Sequence, residues 1–226
     1  MIAETDAAAS VPARLRAPRA AALAGILFAL LLATSLVLLR RAVPADPLEA
    51  GAWLQTRTDL VVLGLNLVPF AGIAFLWFMG VLRDRLGERE DRFLATVFLG
   101  SGILFLAMLF VSAAVAGGLI IAAAAEPDGF LGSAAFAFAR ATTYEIMNVY
   151  AIKMAGVFMI LTSTLALRTG FLARWIAVLG YALALLSLFS GRYIAWSPMV
   201  FPSWVLLISL YILIDNLRRP SPTTGP

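Results

Sequence analysis

The groups in this chain best suited to chemistry gather in one stretch, "TTYEIMNVYAIKMAGVFMI", residues 142–160. It holds a carboxylate (Glu145), an amide (Asn148), a phenol (Tyr150) and an ammonium (Lys153), and Lys153 is the only lysine in the chain. A helical step of ~100° per residue puts Tyr144, Glu145, Asn148, Lys153, Gly156 and Ser163 within an arc from about −100° to +80° around Glu145. Val149, Ile152 and Met159 share that arc, which is therefore mixed. Met147, Met154, Val157, Phe158, Leu161 and Leu165 fill the opposite arc, and Tyr150 stands among them.

Depth follows from helix rise. Lys153 lies ~12 Å beyond Glu145, and Asn66 lies ~10 Å beyond Asp59 on an earlier segment. The sequence thus predicts one polar layer of Asp59, Asn66, Glu145, Asn148 and Lys153, with Tyr150 at its edge and Thr34 and Ser35 at a similar level. Such a layer can serve a small solute, an ion or a proton, or it can lock helices in register. A charge at mid-membrane costs between ~3 and ~10 or more kcal/mol. Lys153 therefore needs a carboxylate, carbonyls or water, or must lose its proton. Val149 lies between Glu145 and Lys153 and offers no bridge. Tyr150 can reach Lys153, and Asn148 can reach Glu145. An ion pair needs an acid from another helix, for which Asp59 is the candidate.

Several chemistries are excluded. The chain has no cysteine and no histidine, which removes disulfides, thiol nucleophiles, Cys/His zinc sites, His-ligated haem and a Ser–His pair. No run of spaced acids suggests a Mg²⁺ or Ca²⁺ site. No catalytic residue, metal or cofactor is expected, and the sequence leans away from an enzyme. The "GSG" at 100–102 lies in a helical run and is read as close helix packing. The net charge of +4 comes with arginines that flank apolar segments, as topology signals do, and nucleic acid is not an expected partner.

The elements that must position these groups are membrane helices. Of 226 residues, 62% are hydrophobic and 13% charged, against roughly 45–50% and 25% in soluble domains. The reading is an all-α, polytopic transmembrane bundle in one domain, with spans at about 20–39, 60–82, 93–125, 142–167, 172–189 and 200–217. Residues 1–19 and 218–226 are read as cytoplasmic tails. Arg40 and Arg41 stand where a signal-peptide cleavage site needs small neutral residues, so the first span is read as uncleaved. Asp46-Pro47 marks a helix start, Pro69 predicts a kink, and Asn66 is placed to cap the carbonyl it frees. Phe93–Ala125 would reach ~50 Å against ~30 Å of hydrocarbon, so the third and fourth helices are expected to form a projecting hairpin turned at "EPDG". The mixed-charge "RDRLGEREDR", residues 83–92, reads as a solvated loop or helix end.

Six spans put both termini on one side. That side would carry eleven arginines and the other five, which favours N-in/C-in. "AGILFALLLATSLVLLR" and "AGVFMILTSTLALR" hint at an inverted three-plus-three repeat, although Ala/Leu-rich helices resemble one another by chance. The layout resembles an uncharacterised family of bacterial six-span membrane proteins, a domain of unknown function. "RAAALAGILFAL" at 19–30, the polar connection before the second helix, "YEIMNVYAIKMAGVFMI" and "LRTGFLARWIAVLGYALALL" at 167–186 carry the likeness. The resemblance implies a bacterial plasma membrane location and brings no site residues. The functional expectation is a small transporter, channel or ligand-binding membrane protein using the layer around Lys153 and Glu145. The alternative is a scaffold or accessory subunit, its buried polar groups a structural lock, with a membrane-protein partner or a second copy bound.

Overall fold

Long apolar runs with few helix breakers fold into long rods. The computed structural model describes residues 11–44, 53–86, 92–190, 194 and 196–218, which form helices and short connections with no strand among them. The helices are α1 (Val11–Ala42), α2 (Trp53–Leu86), α3 (Arg92–Ala125), the single turn α4 (Pro127–Phe130), α5 (Ala134–Glu145), α6 (Ile152–Thr169), α7 (Arg174–Ser190) and α8 (Val200–Arg218). A π-helical segment, Ile146–Ala151, joins α5 to α6, and a 3-10 turn, Ser197–Met199, leads into α8. The helix start at Asp46-Pro47, most of the 83–92 loop, the first ten residues and the tail from 219 lie outside the described residues.

Five helices are long and apolar enough to cross a membrane: Ala20–Ala42, Thr56–Arg83, Phe93–Ala125, Ala134–Thr169 and Ser197–Arg218. The chain is a multi-pass membrane protein. Besides the single turn α4, the helix outside these five is α7, which is apolar but has 17 residues, ~26 Å of rise. The fourth rod starts eight residues earlier than the expected 142. Ser133 explains this start: its side chain accepts the Phe136 N–H at 3.2 Å, a helix cap that the polar "GS" permits. Gly170 ends the rod at φ 71°, a left-handed conformation that glycine adopts without strain, and its N–H bonds the Ala166 carbonyl at 2.9 Å. The expected break at Pro69 is not where the dihedrals depart. Arg57, with φ −133° and ψ 15°, is the non-helical residue of α2, and its guanidinium reaches the Arg41 carbonyl at 2.8 Å.

α1 packs most extensively on α2 and α8, and α6 on α7 and α3. The core between them is aromatic. Phe75 of α2 lies 4.8 Å from Phe28 (α1), 5.4 Å from Phe105 (α3), 5.3 Å from Phe158 (α6) and 5.6 Å from Phe201 (α8), ring centroid to centroid. These tilted and edge-on contacts suit the ring quadrupoles. They also tie five helices at one level, which serves as the origin for heights in the molecule.

Candidate functional site

Phe201 is the second residue of α8, so α8 begins at the ring level and runs away from it in one direction only. On the other side of the rings, α1, α2, α3 and the α5–π–α6 rod continue without it. The gap left beside them is a cavity of about 210 Å³. Leu32, Val68 and Leu109 line its depth, and Leu32 and Leu109 sit one turn beyond Phe28 and Phe105. Arg40, Pro44, Arg140, Tyr144 and Trp196 line its other end. Along α1, the distance from Leu32 to Pro44 is ~18 Å. The remaining wall is mostly leucine, valine, alanine and methionine, and Trp196, Pro198 and Met199 close the side that α8 vacates.

The polar mouth is built by specific contacts. Arg140 is 6% exposed and donates through Nη2 to the Pro44 carbonyl at 3.1 Å, which holds the end of α1 to α5. The Arg40 guanidinium carbon lies 5.9 Å from the Trp196 ring centroid, within cation–π range. Deeper hydroxyls and amides are turned to backbone. Ser35 donates to the Gly64 carbonyl at 2.7 Å, Ser112 to the Thr143 carbonyl at 3.0 Å, and the Asn148 amide to the Tyr144 carbonyl at 3.0 Å. The last two serve the π segment. A π turn shifts bonding from i−4 to i−5 and disturbs the carbonyl ladder at its start. Ser112 and Asn148 supply donors to two carbonyls there. The wall below the mouth is consequently close to apolar in effect, although several of its residues are polar by type.

The residues singled out from sequence separate. Asn148 lines the cavity together with Tyr144, and both are half-buried. Glu145 is half-buried on the same turn. Asp59, Asn66, Tyr150 and Lys153 are exposed on the bundle surface; Asn66 lines a second, more open cavity of about 440 Å³ beside Pro69 and Phe110. Heights above the ring level are ~24 Å for Asp59, ~13 Å for Asn66, ~18 Å for Glu145 and ~7 Å for Lys153. Asp59 and Lys153 are thus ~17 Å apart in height alone, too far for an ion pair. The common arc fails for a local reason: its constant 100° step does not hold through Ile146–Ala151, and Lys153 stood at its edge.

Arg140, Arg40 and Trp196 are what the polar-layer reading left out. Arg140 had one visible signal, a lone charge inside "AAFAFARATT". Comparisons with protein-family models, with characterised proteins and with solved structures returned no match, so the chemistry of the site rests on its own residues.

Proposed function

We propose that this is a six-span, N-in/C-in protein of a bacterial plasma membrane that binds a small, largely apolar molecule in the cavity beside Arg140. The observation that carries the reading is the cavity's grading, from leucine and valine near the rings to arginine and tryptophan at the mouth. Charge positions supply a bilayer frame. Arg83 and Arg168 lie ~12 and ~15 Å on one side of the ring level, and Arg40 lies ~18 Å on the other. Together these match ~30 Å of hydrocarbon. The mouth then sits among headgroups and the depth reaches toward the bilayer centre. Glu145 falls near the interface, Asp59 beyond it, and only Lys153 lies well inside. Its exposed stem faces lipid, and its amine can snorkel outward. α7 crosses as the sixth span, at the short end of the usual range, and the last span is counted from the 3-10 turn, Ser197–Arg218, not from α8 alone.

Photo-crosslinking with an alkyl diazirine in membranes tests the binding reading. Label should map to the cavity wall, for example Ala113, Leu119 or Met147, and Ala116→Phe, which fills the space, should abolish it. Labelling spread evenly over exposed faces and indifferent to Ala116→Phe would sink the proposal. The accessory-subunit reading is favoured by one observation: Ile121 and Phe138 are 73% and 72% exposed, and both lie more than ~20 Å from the ring level on the part of α3 and α5 that projects. Two such apolar side chains beyond the hydrocarbon suit a protein partner or a second copy. A monomer by light scattering in mild detergent, with no co-purifying protein, would remove that reading.

A further inference from the structure

Helix positions spaced alternately three and four residues apart fall on one stripe. On α2, Leu63, Asn66, Phe70, Ile73, Trp77 and Gly80 have this spacing, and all six are exposed. The stripe rises ~26 Å, close to the thickness of the hydrocarbon. Lipid can cover five of these residues as well as protein can, but not Asn66. Its amide carries two N–H donors and an acceptor oxygen, and among the described residues it makes no hydrogen bond. The bond expected to the carbonyl freed by Pro69 is therefore not made. Dihedrals stay helical through Pro69, which has no N–H, so the Leu65 carbonyl next to Asn66 also lacks its helical donor. Asn66 stands ~13 Å above the ring level and Arg40 ~18 Å, which puts both groups inside the hydrocarbon of the proposed bilayer frame. Lys153 can snorkel on its long stem; Asn66 has a single methylene and cannot. An unpaired amide there is costly, and relief must come from a polar group at the same depth.

A second copy of this chain supplies that group. Two copies inserted in the same direction are related by a two-fold axis along the membrane normal, so equal heights meet and Asn66 faces Asn66. The amide is self-complementary: each can donate to the other's oxygen, and the Leu65 carbonyls offer further acceptors. A three–four seam packs on its own copy as a left-handed pair, and one asparagine within it fixes the register. The shape is complementary too. Ala113 and Gly117 of α3, at ~12 and ~18 Å, recede beside the seam and leave the open cavity of about 440 Å³ that Asn66 lines. Leu63 also stands at ~18 Å, so Leu63 of each copy can enter the recess of the other, the reciprocal contact of a two-fold interface. Small residues at such a surface let helices approach closely.

We infer that α2 is the interface of a parallel homodimer, with Asn66 hydrogen-bonded to its counterpart inside the membrane. This goes beyond the cavity-binding reading and takes only the bilayer frame from it, because Val61, Leu65 and Val68 meet the cavity from another face of α2.

The full-length protein has no cysteine, so single thiols can be introduced without background. Phe70→Cys and Trp77→Cys lie on the seam; Leu27→Cys on α1 and Val178→Cys on α7 are equally exposed controls. Oxidation with copper–phenanthroline in native membranes should give disulfide dimers for the two seam variants and for neither control. In mild detergent, sedimentation equilibrium of the cysteine-free protein should show a dimer. Asn66→Leu should weaken it about fivefold or more, the scale of interhelical hydrogen bonds in membranes, and Asn66→Gln should restore most of the loss. Crosslinking of seam and control variants alike would reduce the contact to collision and overturn the interface. A monomer at every concentration, with no seam crosslink, would overturn the dimer and leave the face to lipid. A different chain co-purifying in place of the second copy would overturn the homodimer in favour of a heteromeric contact. A dimer indifferent to Asn66→Leu would overturn the role of the amide. None of these results alters diazirine labelling of the cavity wall, so failure of the dimer and failure of the cavity reading are told apart.

Discussion

Two cations with opposite surroundings define the residue scale. Lys153 looks exceptional in sequence, as a lone lysine in an apolar span, yet its side chain points away from the bundle. Arg140 looks like one arginine among sixteen, yet it is buried at the cavity mouth. Residue type announces the cost of a charge in lipid. Which neighbours relieve that cost depends on rotation about the helix axis, which one sequence only approximates. Lys153→Met should therefore leave binding of a cavity ligand within about twofold and leave thermal stability unchanged or raised, since it removes an exposed charge that the proposed bilayer frame puts against hydrocarbon. A tenfold loss of binding, measured in nanodiscs, would return Lys153 to the site. Phe75 is the opposite case, a residue that only packs. Its ring meets those of four other helices, so Phe75→Ala leaves a void that none of them can fill alone. Lipid tails are as apolar as the core, so the solvent-transfer part of the cost is small. Lost packing alone should destabilise by about 2–3 kcal/mol, read from unfolding in mixed micelles.

At the scale of elements, the rods were legible and their irregularity was not. Uninterrupted apolar runs mark α1, α2, α3 and α8, and "EPDG" marks the turn before α5, because length and composition decide these. The π segment has no comparable mark: "IMNVYA" contains no glycine or proline, and its widening is supported by Asn148 and Ser112 from two different helices. That tertiary dependence is why a uniform 100° step misplaced Lys153 relative to Glu145. The segment also sets which side chains of α5 reach the cavity. Inserting one alanine after Val149 adds a residue that the π turn has not absorbed and should rotate α5 by about 100° against α6, carrying Arg140 and Tyr144 off the mouth. The expected result is loss of ligand binding with helicity and the aromatic core retained, checked by circular dichroism beside the binding measurement. Unchanged affinity would show that the π segment has no part in placing the site. The α6–α7 pair is held by a different device. A Cβ on Gly156 would stand 3.2 Å from the Ala184 carbonyl and from Leu188, so Gly156→Leu should pry α7 from α6 at a cost of about 1–3 kcal/mol.

Across the whole molecule, unequal helix lengths create the cavity. α3 and the Ala134–Thr169 rod, at 34 and 36 residues, are nearly twice as long as α7 and α8, at 17 and 19. A bundle of equal rods would close around its aromatic core from end to end. Here the core is sealed only where α8 is present, and the opening lies at the end marked by Arg40 and Arg140. Which side of the membrane that end faces decides where a ligand comes from. The arginine balance favours the outside for Arg40 and the cell interior for Arg168 and Arg218. The absence of cysteine makes this directly measurable, because a single introduced thiol is the only one in the protein. Gly132→Cys, exposed and with nothing within 4 Å of its Cβ position, reports the α4–α5 corner, and Thr169→Cys, also exposed, reports the far end of the same rod. In intact cells a membrane-impermeant maleimide should label Gly132→Cys and spare Thr169→Cys until the membrane is opened. The reverse pattern would invert the protein and place the cavity mouth in the cytoplasm. Labelling of both positions from one side would mean that the Ala134–Thr169 rod does not cross, and the proposed bilayer frame would fall with it.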